Sequence, residues 1–319
     1  MLQALLLLLL GLVALVKGAD LLVDGASTIA ARARVPPMVV GLTIVSFGTS
    51  MPEFLVTLIS GLQHNADLAV ANVIGSNIAN VLLVLGVAAI IRPLPIGDAT
   101  VVTEVPFSLT AALLVGFLAN AALFTPYPEL TISRIDGLIL LFFFLLFMMY
   151  VYKVSREGQR ETVPSEGGRS MLTASGLVAL SLVLLYFGGS WVVDGAVDIA
   201  ATLGVDDALV GLTVVAVGTS TPEIVASAVA AHKGQADLAV GNVVGSNIFN
   251  LLWVLGSTSA IVALPFEEIS NMDLAMVIAA STLVILALVS SRNRTILRAH
   301  GVLFVVLYAA YVAYAVRRG

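Results

Sequence analysis

The chain contains one stretch twice. Residues 41–86 read GLTIVSFGTSMPEFLVTLISGLQHNADLAVANVIGSNIANVLLVLG, and residues 211–256 read GLTVVAVGTSTPEIVASAVAAHKGQADLAVGNVVGSNIFNLLWVLG. The offset is 170 throughout, so Glu53 answers to Glu223, Asn72 to Asn242, Ser76 to Ser246 and Asn80 to Asn250. From Asp24 and Asp194 to Gly86 and Gly256, about half the positions are identical and no gap is needed. An ungapped self-match of that length marks two copies of one structural unit. Each copy buries a glutamate and a Ser/Thr/Asn cluster in an apolar segment, which is costly in lipid and points to function.

The setting is a membrane. The chain is 59% hydrophobic and 11% charged, with a mean hydropathy of +1.06. A water-soluble domain needs more polar surface than that. Several apolar runs also exceed the roughly 18 residues that cross a bilayer as helix. The expected fold is an all-α polytopic membrane protein. The absence of cysteine excludes disulfides, thiolate metal sites and Cys nucleophiles. Three scattered histidines make no zinc or haem constellation, and no basic, aromatic-interleaved patch suggests nucleic acid.

Ten spans are expected, at about 2–30, 37–62, 67–91, 103–123 and 136–152, then 171–201, 208–231, 237–262, 272–289 and 296–316. The first could be taken for a signal peptide, but it lacks a basic leader and its LVDG recurs as VVDG at 192–195, so a retained helix is expected. Lys17 and Asp20 suggest a local i,i+3 ion pair. Asp24 and Asp194 suggest capping or solvation near helix ends. The fourth and fifth spans are read as scaffold without a buried charge. Between the halves, KVSREGQRETVPSEGGRS at 153–170 is polar and holds Gly and Pro, as a linker does. The chain thus divides into a first repeat at 1–152, a linker at 153–170 and a second repeat at 171–319.

Five spans per repeat is an odd number, so the halves must enter the membrane in opposite directions. Inverted repeats of this kind place a substrate site at the midplane where they meet. The basic residues agree. Loops after odd-numbered spans carry Arg32, Arg34, Arg92, Lys153, Arg156, Arg160, Arg169, Lys233, Arg292, Arg294 and Arg298, against Arg134, Arg317 and Arg318 on the other side. The positive-inside rule makes the first set cytoplasmic and both termini external. The outer loops carry Glu129, Asp136, Asp206, Asp207, Glu267 and Glu268, a field that attracts cations.

In GTSMPE, Thr49 and Ser50 lie i−4 and i−3 from Glu53, so three oxygen-bearing side chains share a helix face. Pro52 lacks an N–H and clashes with the preceding turn. That should break the helix and free the carbonyls around Ser46, Phe47 and Gly48. Irregular backbone at membrane depth is tolerated where it lines a cavity, and its carbonyls can hold cations. GTSTPE repeats every element with Thr219, Ser220 and Glu223, and with carbonyls near Ala216 and Val217. Asn72, Ser76 and Asn80 fall at i, i+4 and i+8 on the next helix, as do Asn242, Ser246 and Asn250. Gly75 and Gly245 should let backbones approach closely. Asn77 and Asn247 lie off that face and suit helix packing at least as well.

A pseudo-two-fold would join Glu53 and Glu223 in one ring of carboxylate, hydroxyl, amide and carbonyl oxygens. Calcium takes six to eight oxygen ligands, whereas zinc or copper would want nitrogen or sulfur. Two carboxylates balance one Ca²⁺; without it they repel, so a counter-cation or proton must replace it on the return.

These motifs carry a family resemblance. GTSMPE with GSNIAN, and GTSTPE with GSNIFN, resemble the paired alpha repeats of the cation/calcium antiporter superfamily, in its prokaryotic sodium/calcium exchanger branch. The resemblance spans essentially the whole chain. It implies a calcium extruder driven by sodium, with helices 2, 3, 7 and 8 forming the site and helices 1 and 6 a long slanted pair that slides to alternate access. It carries ion-ligand roles to Thr49, Ser50, Glu53, Ser76 and Asn80, with Thr219, Ser220, Glu223, Ser246 and Asn250. Ca²⁺ and Na⁺ would compete for overlapping positions. Some relatives, including potassium-dependent ones, have aspartate where Asn80 or Asn250 stands, so potassium co-transport is disfavoured. The short linker has no room for calcium-sensing domains.

The expectation is a Na⁺/Ca²⁺ antiporter in the inner membrane of a prokaryote, needing no cofactor, nucleic acid or obligate protein partner. A Ca²⁺/H⁺ antiporter using the same glutamates is the first alternative, although protons need no cage of hydroxyls and amides. A cation channel would lack a filter motif here. An enzyme would lack a nucleophile or cofactor beside its two acids.

Overall fold

A computed structural model describes residues 2–97, 100–121, 130–158, 170–202, 216–266, 268–291 and 293–318. The first half comprises α1 (Leu2–Ala33), the broken pair α2 (Pro37–Thr49) and α3 (Met51–Leu62), α4 (Ala66–Ile91), α5 (Thr100–Ala119) and α6 (Arg134–Gly158). The second comprises α7 (Met171–Thr202), the short α8 (Ala216–Thr219), α9 (Thr221–His232), α10 (Ala236–Ile261), α11 (Glu268–Ser290) and α12 (Arg298–Arg318). Eight helices among the described residues are long and apolar enough to cross a membrane, and α2–α3, bent by 46°, makes nine as one span. The expected tenth, at 208–231, lies partly outside the described residues, and α8 and α9 are its described part. Also outside them are 159–169 of the linker and the outer-loop acids Glu129, Asp206, Asp207 and Glu267. The linker starts later than expected, because α6 stays helical through Gly158, with Lys153 and Glu157 paired at 3.8 Å one turn apart.

Polarity is distributed for lipid. Phe117, Leu138, Met149, Leu172 and Val289 are exposed, while Ser50, Glu53, Asn80, Ser220, Glu223 and Asn250 are buried. A protein in water shows the reverse. The chain is a polytopic all-α membrane protein.

α1 and α7 make the longest helix contact, and small residues allow it. Gly11 meets Gly188 and Val192, Gly18 meets Leu184 and Leu185, Gly25 meets Val178, and Gly195 meets Ala4 and Leu8. Partner numbers fall as residue numbers rise, so the helices run antiparallel. A Cβ at Gly11, Gly25 or Gly195 would sit under 3 Å from its neighbour. Each helix has 32 residues, about 48 Å at 1.5 Å per residue, against a hydrocarbon core of about 30 Å. Both must therefore tilt. Asp24 and Asp194 consequently lie well inside long helices, not at capping positions.

The repeats are interlaced. α6 packs on α10 and α12 on α4, so each half's last helix covers the other half's buried helix. Both crossings pass over paired glycines, Gly137 on Gly256 and Gly301 on Gly86. Two antiparallel two-residue bridges also cross between halves: β1 (Leu94–Pro95) with β4 (Thr295–Ile296), and β2 (Thr131–Ile132) with β3 (Leu264–Pro265).

Candidate cation site

Each break has the same local cause. Pro52 and Pro222 sit in the first turns of α3 and α9, where the missing N–H costs nothing. The preceding residue leaves helical geometry in both halves: Ser50 has φ −85°, ψ 6°, and Ser220 has φ −84°, ψ 3°. Glu53 and Glu223 follow in those first turns, where the helix dipole favours a carboxylate. The break frees fewer carbonyls than expected. Ser46 keeps a helical partner, since the Ser50 N–H donates to its carbonyl at 2.9 Å. Its repeat mate Ala216 is the first residue of α8.

The halves then cross-supply each other. Glu53 and Glu223 are 1% and 0% exposed and near enough to repel one another. Ser50 Oγ donates to Glu223 Oε1 at 3.4 Å, and Thr49 and Ser246 also face that carboxylate. Ser76 and Thr219 face Glu53 without closing a hydrogen bond. The wide, π-type turns that begin at Asn80 and Phe249 complete the ring; the first packs on α9 and the second on α3. Such turns recur at functional sites because they re-aim side chains. The structure thus brings together Thr49, Ser50, Glu53, Ser76, Thr219, Glu223 and Ser246, with Ser220 buried at the start of α9 and Asn80 and Asn250 on the flanking turns.

Buried polar atoms are normally hydrogen-bonded. Here both carboxylate oxygens of Glu53, Oε2 of Glu223, the hydroxyls of Ser220 and Ser246, and both amide atoms of Asn80 and Asn250 have no protein partner. That concentration of unsatisfied oxygen lies along one seam between the repeats. It suits a hard cation.

A set of side chains outside the expected ligands holds this seam in shape. Asn72 Nδ2 donates to the Glu53 carbonyl at 3.1 Å and to Thr57 Oγ1 at 2.9 Å. Asn242 Nδ2 donates to Ser227 Oγ at 2.9 Å, while its Oδ1 accepts from Thr49 Oγ1 at 3.1 Å. Thr57 and Ser227 were missed in the sequence. Their signal was there, four residues after each glutamate at the common offset. Ser46 Oγ spends its proton on backbone carbonyls, with Gly41 O at 2.6 Å and Asn242 O at 3.1 Å. Asn77 and Asn247 reach the carbonyls of Val73 and Asn77, as helix packing would have them.

Three sequence expectations need correction. Gly245 does permit close approach, because a Cβ there would overlap Ser46 Oγ, but Gly75 has nothing within 4 Å and borders a cavity of about 200 Å³. The fourth span does hold a buried charge: Glu104 is 2% exposed and accepts from Tyr150 Oη at 2.7 Å. Asp20 does not pair locally with Lys17; it binds Lys233 at 3.0 Å.

The two mouths of the seam differ. A cavity of about 210 Å³ reaches Thr219, Pro52 and Pro222 between α7 and the breaks, and Val56, Tyr186, Ser190, Val193 and Asp194 border it. At the opposite mouth the repeat mates of Val56 and Val193, Ala226 and Val23, are each 2% exposed. There α1 packs along α9, whereas α7 makes at most marginal contact with α3. The site is therefore open towards Asp194 and closed towards Asp24.

A bundle of interlaced inverted repeats around a buried oxygen cage defines a membrane carrier for cations. The profile of the family described as "Sodium/calcium exchanger protein" matches residues 3–153 and 173–317, and the chain belongs to that family. It is 37% identical over 324 residues to the putative antiporter CaxA of Alkalimonas amylolytica, covering 98% of each chain. It is 36% identical over 267 residues to the inner membrane protein YrbG of Escherichia coli, covering 80% of this chain and 79% of that one. The sodium/calcium exchanger MaX1 of Methanosarcina acetivorans is 32% identical over 343 residues, 96% of this chain and 97% of that one. Among solved structures, the sodium-calcium exchanger NCX_Mj soaked with Na⁺ and no Ca²⁺ superposes with a TM-score of 0.81 at 31% identity, covering 98% of both chains. CaxA, MaX1 and NCX_Mj are antiporters or exchangers by name, and cation/Ca²⁺ exchange is the activity their family supports.

Proposed function

We propose that this chain exchanges Na⁺ for Ca²⁺ across a prokaryotic inner membrane by alternating access, with both ions competing for the cage around Glu53 and Glu223. The observation that carries it is the run of unpartnered buried oxygens contributed by both repeats. Glu53 and Glu223 balance the charge of one Ca²⁺, and the hydroxyls and amides of Thr49, Ser50, Ser76, Asn80, Thr219, Ser220, Ser246 and Asn250 complete its shell. The Ser46 carbonyl has a second lone pair to offer, and the Ala216 carbonyl would match it. The same neutral oxygens suit Na⁺, whereas a proton needs only the two carboxylates. No cofactor takes part, since the ions are cargo. The positive-inside rule sets the Lys233 mouth in the cytoplasm and both termini outside.

The test is Ca²⁺ uptake into proteoliposomes loaded with Na⁺ and diluted into Na⁺-free buffer at equal pH with a protonophore. Uptake that follows the Na⁺ gradient and vanishes in Glu53→Gln is expected. Uptake driven by a pH gradient without Na⁺ would assign the protein to proton coupling, and unitary currents without a counter-ion would make it a channel.

A further inference from the structure

The closed mouth carries an ion cluster that has no counterpart at the Asp194 mouth among the described residues. Lys233 lies in the turn after α9, and its Nζ reaches Asp24 Oδ1 at 2.8 Å and Asp20 Oδ1 at 3.0 Å, both on α1. It also donates to the Asp20 carbonyl at 3.2 Å. Two acids one helical turn apart thus grip a single ammonium from another helix pair. Partial burial works against that charge, yet Asp24 and Asp20 outweigh it and raise the affinity of the Lys233 amine for its proton.

The repeat offset shows what stands at the other mouth. Lys233 answers to Gln63, Asp20 to Ser190 and Asp24 to Asp194. Gln63 brings no charge and Ser190 no carboxylate, so this latch cannot form there. The two mouths are also far apart along the α1–α7 pair. Gly25, beside Asp24, faces Val178, while Gly195, beside Asp194, faces Leu8. From residue 8 to residue 25 of α1 is about 25 Å of helix.

We infer that Lys233, bridging Asp20 and Asp24, is a one-sided latch that holds α1 against α9 and biases the carrier towards the conformation open at Asp194. Were the two mouths identical, the two end states would be equal in energy. A contact present in only one of them shifts the population by its own free energy. Asp20, Asp24 and Lys233 keep side-chain exposures of 40%, 44% and 29%. The latch is therefore solvent-screened and modest, strong enough to bias and weak enough to release on every cycle. The inference rests on the alternating-access reading only in requiring that the closed mouth can open.

The chain has no cysteine, so a single introduced thiol reports one position. Val23→Cys marks the closed mouth and its mate Val193→Cys the open one. Each would be placed in the otherwise unchanged chain and in Lys233→Gln, then reacted with a water-soluble maleimide in detergent. Losing the latch should speed labelling of Val23→Cys by up to about fivefold, the size of a screened ion pair, and slow Val193→Cys only by the fraction of the open state given up. Lys233→Arg should restore both rates. Asp20→Asn with Asp24→Asn removes the same latch from the α1 side and serves if Lys233→Gln does not fold. Unchanged rates at both positions would overturn the inference. So would faster labelling at Val23→Cys in Lys233→Gln that Asp20→Asn with Asp24→Asn does not reproduce, since both remove the same latch. No ion gradient enters this measurement, so failure of the Na⁺/Ca²⁺ reading would leave its outcome intact.

Discussion

The two repeats agree closely at the break and part company at their mouths. Ser50 and Ser220 differ by 1° in φ and 3° in ψ, and each is followed by proline and a buried glutamate. Some ten residues further along, Lys233 stands opposite Gln63, with Asp24 held and Asp194 facing a cavity. The difference separates two demands on one duplicated unit. Both halves must present the same oxygens to a single ion, so the midplane chemistry is kept in duplicate. The mouths open to different compartments at different times, and nothing obliges them to match.

The severest way to break this comparison is to remove one carboxylate at a time. Glu53→Gln and Glu223→Gln should each lower Ca²⁺ uptake by about 100-fold or more, because one remaining carboxylate leaves a desolvated divalent ion half-balanced. Losses should be alike in both variants, measured as initial uptake rates in proteoliposomes at matched protein density. A tenfold disparity would mean that the ring is functionally lopsided despite its matched backbone.

A smaller and structural contrast comes from the glycines one residue before Ser76 and Ser246. Gly245→Ala forces a methyl against Ser46 Oγ and the Leu42 backbone, an overpacking that costs about 1–3 kcal/mol. Gly75→Ala meets open space and should stabilise its helix by up to about 1 kcal/mol. Thermal unfolding followed by fluorescence-detected size exclusion should therefore move down for the first and hold or rise for the second. If both fall equally, the bare surface at Gly75 is closed in solution.

Much of this architecture was legible in the sequence because it rests on local rules. Proline two residues after Thr-Ser fixes the break, i,i+4 spacing gathers the oxygens, and an odd number of spans forces inversion. Thr57 and Ser227 were readable but overlooked, as each takes its meaning from an asparagine one helix away. Other features depended on tertiary contact that no spacing encodes. Glu104 is buried because Tyr150 on α6 meets it, and Asp20 leaves Lys17 for Lys233, 213 residues on. Gly75 and Gly245 are identical in their motifs and differ only in what packs over them. Asp24 and Asp194 lie more than two turns inside α1 and α7, whose bounds match the expected spans to within three residues, so capping failed on position and not on helix length.

The mildest effect should come from Asp194. Its repeat mate is paired with Lys233, whereas Asp194 meets only Ser190 Oγ, at 3.4 Å, in the described hydrogen bonds, and borders the cavity that leads to Thr219. A carboxylate in a low-dielectric funnel raises the local cation concentration without touching the bound ion. Asp194→Asn should therefore raise the Ca²⁺ half-saturation by about two- to threefold at low ionic strength and leave the maximal rate unchanged. Because the group is exposed, the difference should fade once the Debye length shrinks to about 8 Å near 0.15 M salt. A fall in maximal rate for Asp194→Asn would instead place the aspartate in the conformational step, and the two mouths would then be more alike than their charges suggest.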